Sequence, residues 1–283
     1  MSSIYKKTYR IALDAFNHFN DEDGWAMASH VALSTIMAIF PFMIFGTALA
    51  SYLGADAFSE TAVHLVFDTW PQTIAEPIAR EVENVLTQER FDLLTIGVLA
   101  AALFASNGVE ALRVSLNRAY RVADRRAWYT TRAQSLGFVL VAAFVFMAIS
   151  FLLVLAPLAV RLARQWLPWM EATTSMIDSW RIIVAIVVLV VGLAISHLWL
   201  PAGRRKLIEV LPGVSLTILF WLIAASIFAS YLQRFANYVS TYAGLASIVI
   251  ALLFLYIIAA IFILGAEVNA AILRYRTLHA DEE

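Results

Sequence analysis

The sequence has no cysteine in 283 residues. Disulfides, thiolate nucleophiles and cysteine-bound zinc or iron–sulfur centres are thereby excluded. Charge is scarce as well. Only 14% of residues are Asp, Glu, Lys or Arg, against about 25% in soluble domains. The net charge of −1 lacks the basic excess of a nucleic-acid binder, so no nucleic acid is expected as a partner. The histidines (His18, His30, His64, His197 and His279) are scattered, and none pairs at the spacing of a helical metal site. Walker, dinucleotide-binding and nucleophile-elbow glycine patterns are missing. The expectation is a protein without cofactor or metal that is not an enzyme. Residues 1–24 are polar and of mixed charge, unlike a cleavable signal peptide.

What is abundant is apolar. Hydrophobic residues make up 61% of the chain and mean hydropathy is +0.77. A soluble fold of this size cannot hide that much apolar surface. The expected class is all-α, a polytopic membrane helical bundle. Six segments, near 25–53, 92–109, 134–160, 182–200, 210–231 and 243–271, approach or exceed the ~20 residues that cross a bilayer. Their runs are continuous rather than alternating, which excludes a barrel. The second run is short, but Glu110 to Arg121 keeps helical character, so one helix continues past the membrane edge.

Orientation follows from Lys and Arg. Fourteen of the 20 fall on the side shared by the N-terminus, the connection around 113–132, the loop at 204–206 and the C-terminus. Both termini are therefore expected in the cytoplasm. The chain divides into a cytoplasmic segment 1–24, a six-span membrane domain 25–275 and a cytoplasmic tail 276–283. Residues 54–91 form the largest external piece. Phe58, Ala62, Leu65, Val66 and Trp70 give one apolar stripe at helical spacing, and Ile74, Ile78, Val82, Val85 and Leu86 give a second after Pro71. Two short amphipathic external helices are expected there, with a strong acidic excess. They form either a solvated cap or a docking surface for a periplasmic envelope protein.

Polar groups inside apolar spans cost about 2.5–3.5 kcal/mol each when ionisable, so something offsets them. In span one, His30 and Ser34 are four residues apart and share a face. They serve interhelical hydrogen bonding, or a polar strip along a pathway. Span two ends in Asn107, Glu110, Arg113, Asn117 and Arg118. Glu110 and Arg113 stand at i, i+3 and are expected to form an ion pair. The cluster is either an interfacial helix end or a gate at the inner mouth of a cavity. Span six ends in Glu267 and Asn269. Glu267 either snorkels to the interface or pairs with an arginine of another span. Asn237, Tyr238 and Tyr242 lie in an amide- and aromatic-rich stretch before span six, either an external turn or a polar cluster folded into the bundle.

Several blocks resemble the YihY/virulence factor BrkB family of bacterial inner-membrane proteins. Ala28 to Thr35 with Phe40-Pro41, Phe104 to Leu112, Leu116-Asn117-Arg118-Ala119-Tyr120, Leu211-Pro212-Gly213, Phe235 to Tyr238, Thr241 to Gly244, and Gly265 to Ala270 carry the likeness, in order, over about 25–275. His30 stands where the family more often has an aromatic, and Ala243 intervenes where Tyr-Gly is usual. The resemblance implies a six-span inner-membrane protein; some members carry a ribonuclease label, which these residues do not support. The polar span residues and the basic inner face point to a transporter or flippase of a lipid-like or amphipathic anion in envelope biogenesis, with membrane lipids as partners. The alternative is a non-transporting scaffold that docks envelope proteins through residues 54–91.

Overall fold

The computed structural model describes residues 2–52, 91–150, 171–239 and 243–280. Among them are seven helices and no strand: α1 (Ser2–Asp21), α2 (Gly24–Tyr52), α3 (Phe91–Ala119), α4 (Trp128–Ser150), α5 (Glu171–Trp199), α6 (Leu207–Val239) and α7 (Ala243–Ala280). The all-helical expectation holds. Among the described residues, three stretches are long and apolar enough to cross a membrane: Thr95–Ala119, Leu207–Leu232 and Ile248–Leu278. Two shorter apolar stretches are Gly24–Ile39 and Ile186–Trp199. The external pair of helices expected at 54–91 lies outside the described residues, except that Phe91 begins α3.

Large apolar side chains such as Leu140, Phe144, Ile186, Val187, Leu222 and Ile227 face outward from α4, α5 and α6. A soluble monomer rarely tolerates such contiguous exposure; a lipid-facing belt does. Where α2 meets α3 the interior is lined largely by small residues. Ala28, Val31 and Ala32 of α2 are buried, as are Ala101 and Ala111 of α3. These two helices pack extensively. In lipid, helices gain little from the hydrophobic effect, and small side chains let backbones approach.

The closest approach is between α6 and α7. A Cβ placed on Gly213 would collide with the Gly265 carbonyl and with the Asn269 amide, 2.5 Å away. A Cβ on Gly265 would collide with the Thr217 hydroxyl and stand 2.8 Å from the Gly213 carbonyl. Both glycines are needed by the crossing itself.

The polar N-terminal segment, for which no secondary structure was expected, forms a helix over Ser2–Asp21. α1 packs on α7 and touches α2. It turns into α2 through Asp23, whose φ is 56°. Gly24 follows because a Cβ there would lie 2.5 Å from the Phe19 ring.

Replacing either crossing glycine tests this packing. Gly213→Ala and Gly265→Ala are each expected to cost about 1–3 kcal/mol or more by overpacking. Thermal unfolding in detergent reads this as a lowered midpoint, while Gly137→Ala, which meets nothing within 4 Å, leaves the midpoint unchanged.

Candidate functional site

Three polar clusters sit at one end of the bundle, where α1, the α3–α4 connection, the α5–α6 connection and the last turns of α7 meet. The first is buried and centres on Asn269, which is 2% exposed. Its Oδ1 accepts from the Gly213 backbone N–H at 2.6 Å. Its Nδ2 donates to the Val210 carbonyl at 3.0 Å and to the Tyr120 hydroxyl at 3.1 Å. The amide orientation follows from chemistry: a backbone N–H only donates and a carbonyl only accepts. Having accepted from Asn269, the Tyr120 hydroxyl donates to Nδ1 of His197 at 2.9 Å. His197 is fully buried and tilts against the Phe262 ring at 4.8 Å. Burial pushes the Tyr120 phenol up to about 12, so it keeps the proton it donates. The Arg205 guanidinium stacks 3.9 Å above the Tyr120 ring. Neither His18, Tyr120 nor His197 stood out as a site residue in the sequence.

The second cluster ties α3 to α4 and to both connections. Arg113 pairs with Glu110 and with Asp124. Arg126 grips Asp124 through Nε at 2.8 Å and Nη2 at 2.7 Å. It also donates to Gln134 Oε1 at 2.7 Å and to the Leu200 carbonyl at 2.8 Å. Asn117 donates to Asp124 at 3.1 Å and accepts from Ala202 N–H at 2.7 Å. Ser135 donates to the second oxygen of Glu110 at 2.9 Å, and Arg132 to Asn107 at 2.7 Å. The hydrogen bonds from Arg126 hold the Asp124 carboxyl far below the ordinary carboxylate range. The expected Glu110–Arg113 pair is present. Asn107, Glu110, Arg113 and Asn117 belong to one network. Arg118 is exposed and reaches only the Glu22 carbonyl, at 3.4 Å.

The third cluster fastens α1. Glu267 is 1% exposed and shares a hydrogen bond with His18 Nδ1, its two oxygens lying at 2.9 and 3.0 Å. Neither snorkelling nor an arginine partner describes it; the partner is a histidine from the N-terminal helix. The cause is the docking of α1, which covers the α7 face that would otherwise lead Glu267 to the interface. Asp14 joins Arg121 at 3.0 Å and Arg274 at 3.1 Å. Arg121 reaches Asp14 because α3 ends in a Schellman turn, with Val122 N–H on Asn117 O and Arg121 N–H on Arg118 O. Arg121 takes the left-handed position at φ 58°, at a cost on the order of 1 kcal/mol for a residue with a Cβ. Burial and Arg121 lower the His18 pKa from its ordinary value.

His30 does not join these groups. It is exposed on α2, while Ser34 is half-buried with its backbone against Gly108. Ser29 and Thr35 bond to carbonyls of their own helix. The backbones of Asn237 and Tyr238 lie in α6, with side chains outside the described ones, and Tyr242 is outside the described residues.

Beside the second cluster opens a cleft of about 860 Å³ between the two connections. Its charged lining is Arg125, Arg126, Arg204 and Arg205 with the single acid Asp124, and its apolar lining includes Phe138, Leu198, Trp199 and Leu207. Arg126 is committed to Asp124. Arg125 and Arg204 are exposed and form no ion pair among the described residues. One buried nitrogen of Arg205, Nη1, has no hydrogen-bond partner. Three guanidiniums thus remain for an anion. The sequence reading assigned these arginines to a basic inner face suited to an anion but singled out neither Arg125, Arg204 nor Arg205, because their convergence needs two loops about 80 residues apart. A smaller space of about 370 Å³ adjoins Glu110, Arg113, Asn117 and Arg118; His30 and Glu267 line neither. Among the described residues, no three His, Asp or Glu side chains converge as a metal site.

A family model described as Virulence factor BrkB matches residues 15–283. The chain is also similar to a Bacillus subtilis (strain 168) protein named as ribonuclease-like, YfkH. The two are 25% identical over 265 residues, covering 94% of this chain and 96% of that one. No solved structure matches.

Two outcomes are expected from this geometry. Asp124→Asn leaves Arg126 without its carboxylate and Arg113 with only one. It should lower stability by roughly 3 kcal/mol, read as a drop in thermal midpoint. The lowered His18 pKa means the docked state binds fewer protons than the undocked one. Docking of α1 is therefore complete above the ordinary imidazole value of about 6.5 and weakens as pH falls through the lower docked value. Corrected for the intrinsic rise of amide exchange with pH, the protection of α1 amides should fall as pH drops below the ordinary imidazole value in His18-containing protein. That fall in protection should be smaller in His18→Gln.

Proposed function

The chain belongs to the Virulence factor BrkB family, and from that premise we propose that it is an inner-membrane transporter or flippase of a lipid-like or amphipathic anion serving envelope biogenesis. In this reading the chain crosses the membrane six times, both termini face the cytoplasm, and the protein is not an enzyme. The carrying observation is the cleft lined by Arg125, Arg204 and Arg205 on one side and Phe138, Leu198, Trp199 and Leu207 on another. Guanidinium groups bind phosphate oxygens bidentately. Apolar walls beside them accept the start of an acyl or isoprenoid chain. A soluble anion would need only the first feature; a lipid-like one uses both.

The polar networks support the same reading. Glu110, Asp124 and Glu267 are each held by a cationic or imidazole partner, so the guanidiniums of the cleft are left to a ligand instead of being neutralised internally. Arg205 is anchored by its stack on Tyr120, which connects the cleft to the buried Asn269 network. Movement of cargo would therefore be felt at the α6–α7 crossing. No nucleotide-binding pattern is present in the sequence, so transport is passive, ion-coupled or driven by a partner.

The test is lipid scrambling by the full chain in vesicles containing a fluorescent anionic phospholipid. Wild type should exceed empty vesicles. Arg125→Gln combined with Arg204→Gln should reduce the rate about tenfold, the worth of one or two charge-assisted hydrogen bonds. These two side chains form no ion pair among the described residues, so thermal stability should not change. Wild-type activity equal to that of empty vesicles, for anionic phospholipids and for an isoprenoid phosphate, would overturn the proposal.

A further inference from the structure

α1 has two working faces. One is docked: Ala15 and Phe19 are buried, and His18 meets Glu267. The other is an apolar stripe in the open. Tyr5, Tyr9, Leu13 and Phe16 follow one another at steps of three or four residues, so they share one side of the helix. They are 71%, 68%, 44% and 50% exposed. Lys6 and Arg10 flank that stripe on one edge and are exposed too.

The level of α1 relative to the apolar helices is fixed at both of its ends. At its C-terminal end, Asn20 accepts from the Trp25 indole at 2.9 Å, and Phe19 packs edge-on to Trp25 at 4.9 Å. Trp25 is half-exposed at the head of α2, the position where a tryptophan marks a membrane boundary. Towards the N-terminal end, Lys7 sits 5.1 Å over the Tyr275 ring, beside Arg274 and Arg276 at the end of α7. These contacts set the C-terminal end of α1 beside the Trp25 boundary and its N-terminal end beside the basic end of α7, with the free face towards the head-group layer.

We propose that α1 is an interfacial helix whose Tyr5–Tyr9–Leu13–Phe16 stripe lies in the head-group region of an anionic lipid leaflet, with Lys6 and Arg10 on lipid phosphates. The composition suits this occupant. Tyrosine places an apolar ring in the acyl boundary and a hydroxyl in the head groups. A basic edge beside an apolar stripe is the pattern of helices that lie on anionic membranes. A second copy of the chain fits less well. Four partly exposed side chains on each of two copies offer on the order of 800 Å² together, below the roughly 1,200 Å² that a specific interface buries over both partners. The inference is independent of any transport activity.

The absence of native cysteine makes the test clean, since an introduced cysteine is the only thiol. Nitroxide labels at Tyr9→Cys, Phe16→Cys and Asn17→Cys are read for collision with oxygen and with a water-soluble nickel chelate. The full chain is reconstituted in vesicles of phosphatidylcholine with phosphatidylglycerol. Positions 9 and 16 should be oxygen-dominated, and position 17 nickel-dominated. Adding Lys6→Glu and Arg10→Glu should shift position 9 towards nickel in these vesicles. In pure phosphatidylcholine the same reversal should cause no shift. Nickel-dominated collision at positions 9 and 16 would overturn the proposal. So would spin–spin broadening that grows with protein density, which would assign the stripe to a second copy. An unchanged position 9 after charge reversal would remove the anionic lipid as the occupant.

Discussion

Much of the structure rests on one side chain. Asn269 projects from α7 into the backbone of α6 at the point where Gly213 and Gly265 bring the two helices together. A close crossing in lipid gains little hydrophobic energy and leaves polar backbone groups near an apolar neighbour. The Asn269 amide accepts one backbone hydrogen bond and donates another there, and holds the helices in register. It also reaches Tyr120, so the end of α3 is set by the same residue. Through Tyr120 the constraint passes to His197 on α5 and to Arg205 on the loop before α6. Four helix ends are thereby positioned from one amide.

The ionic network is built on top of that frame. Charged groups next to apolar helices are tolerated when each has partners that repay its lost hydration. Asp124 meets two arginines and an amide; Glu110 meets an arginine and a serine; Glu267 meets a histidine. Acid is consumed in these contacts. Basic residues outnumber acids on this side of the chain, and the surplus is left on the walls of the cleft between the two connections. The free guanidiniums thus follow from the same charge asymmetry that orients a membrane protein.

α1 closes the arrangement from the side. It carries no span, yet it buries Glu267 and positions Asp14 between Arg121 and Arg274. Arg121 takes a left-handed backbone conformation at the end of α3, a position where glycine would be easier, and its side chain pairs with Asp14. Local backbone cost is exchanged for a link between the N-terminal helix and the bundle.

Legibility in the sequence divides along physical lines. The class of fold was readable from composition, since 61% hydrophobic residues have few other homes. Glu110 and Arg113 were readable as a pair, because three residues on a helix are one turn apart. The motifs around Asn117, Gly213 and Glu267 stood out, and they converge on one end of the bundle. His30 was misleading: its residue type suggested a pathway, and only the packing of α2 shows it facing outward. The helical nature of residues 2–21 was missed because the stretch is polar overall and its apolar stripe is narrow.

What the sequence determined by itself is the solvent: long apolar runs and sparse charge specify helices in lipid, whatever their arrangement. What only the tertiary structure decided is which polar groups meet. Glu267 and His18 are separated by 249 residues, Asn269 and Tyr120 by 149. Periodicity along a helix reports on neighbours one or two turns away. Partners at such separations are set by helix crossings, and those crossings depend on where two glycines let two backbones touch.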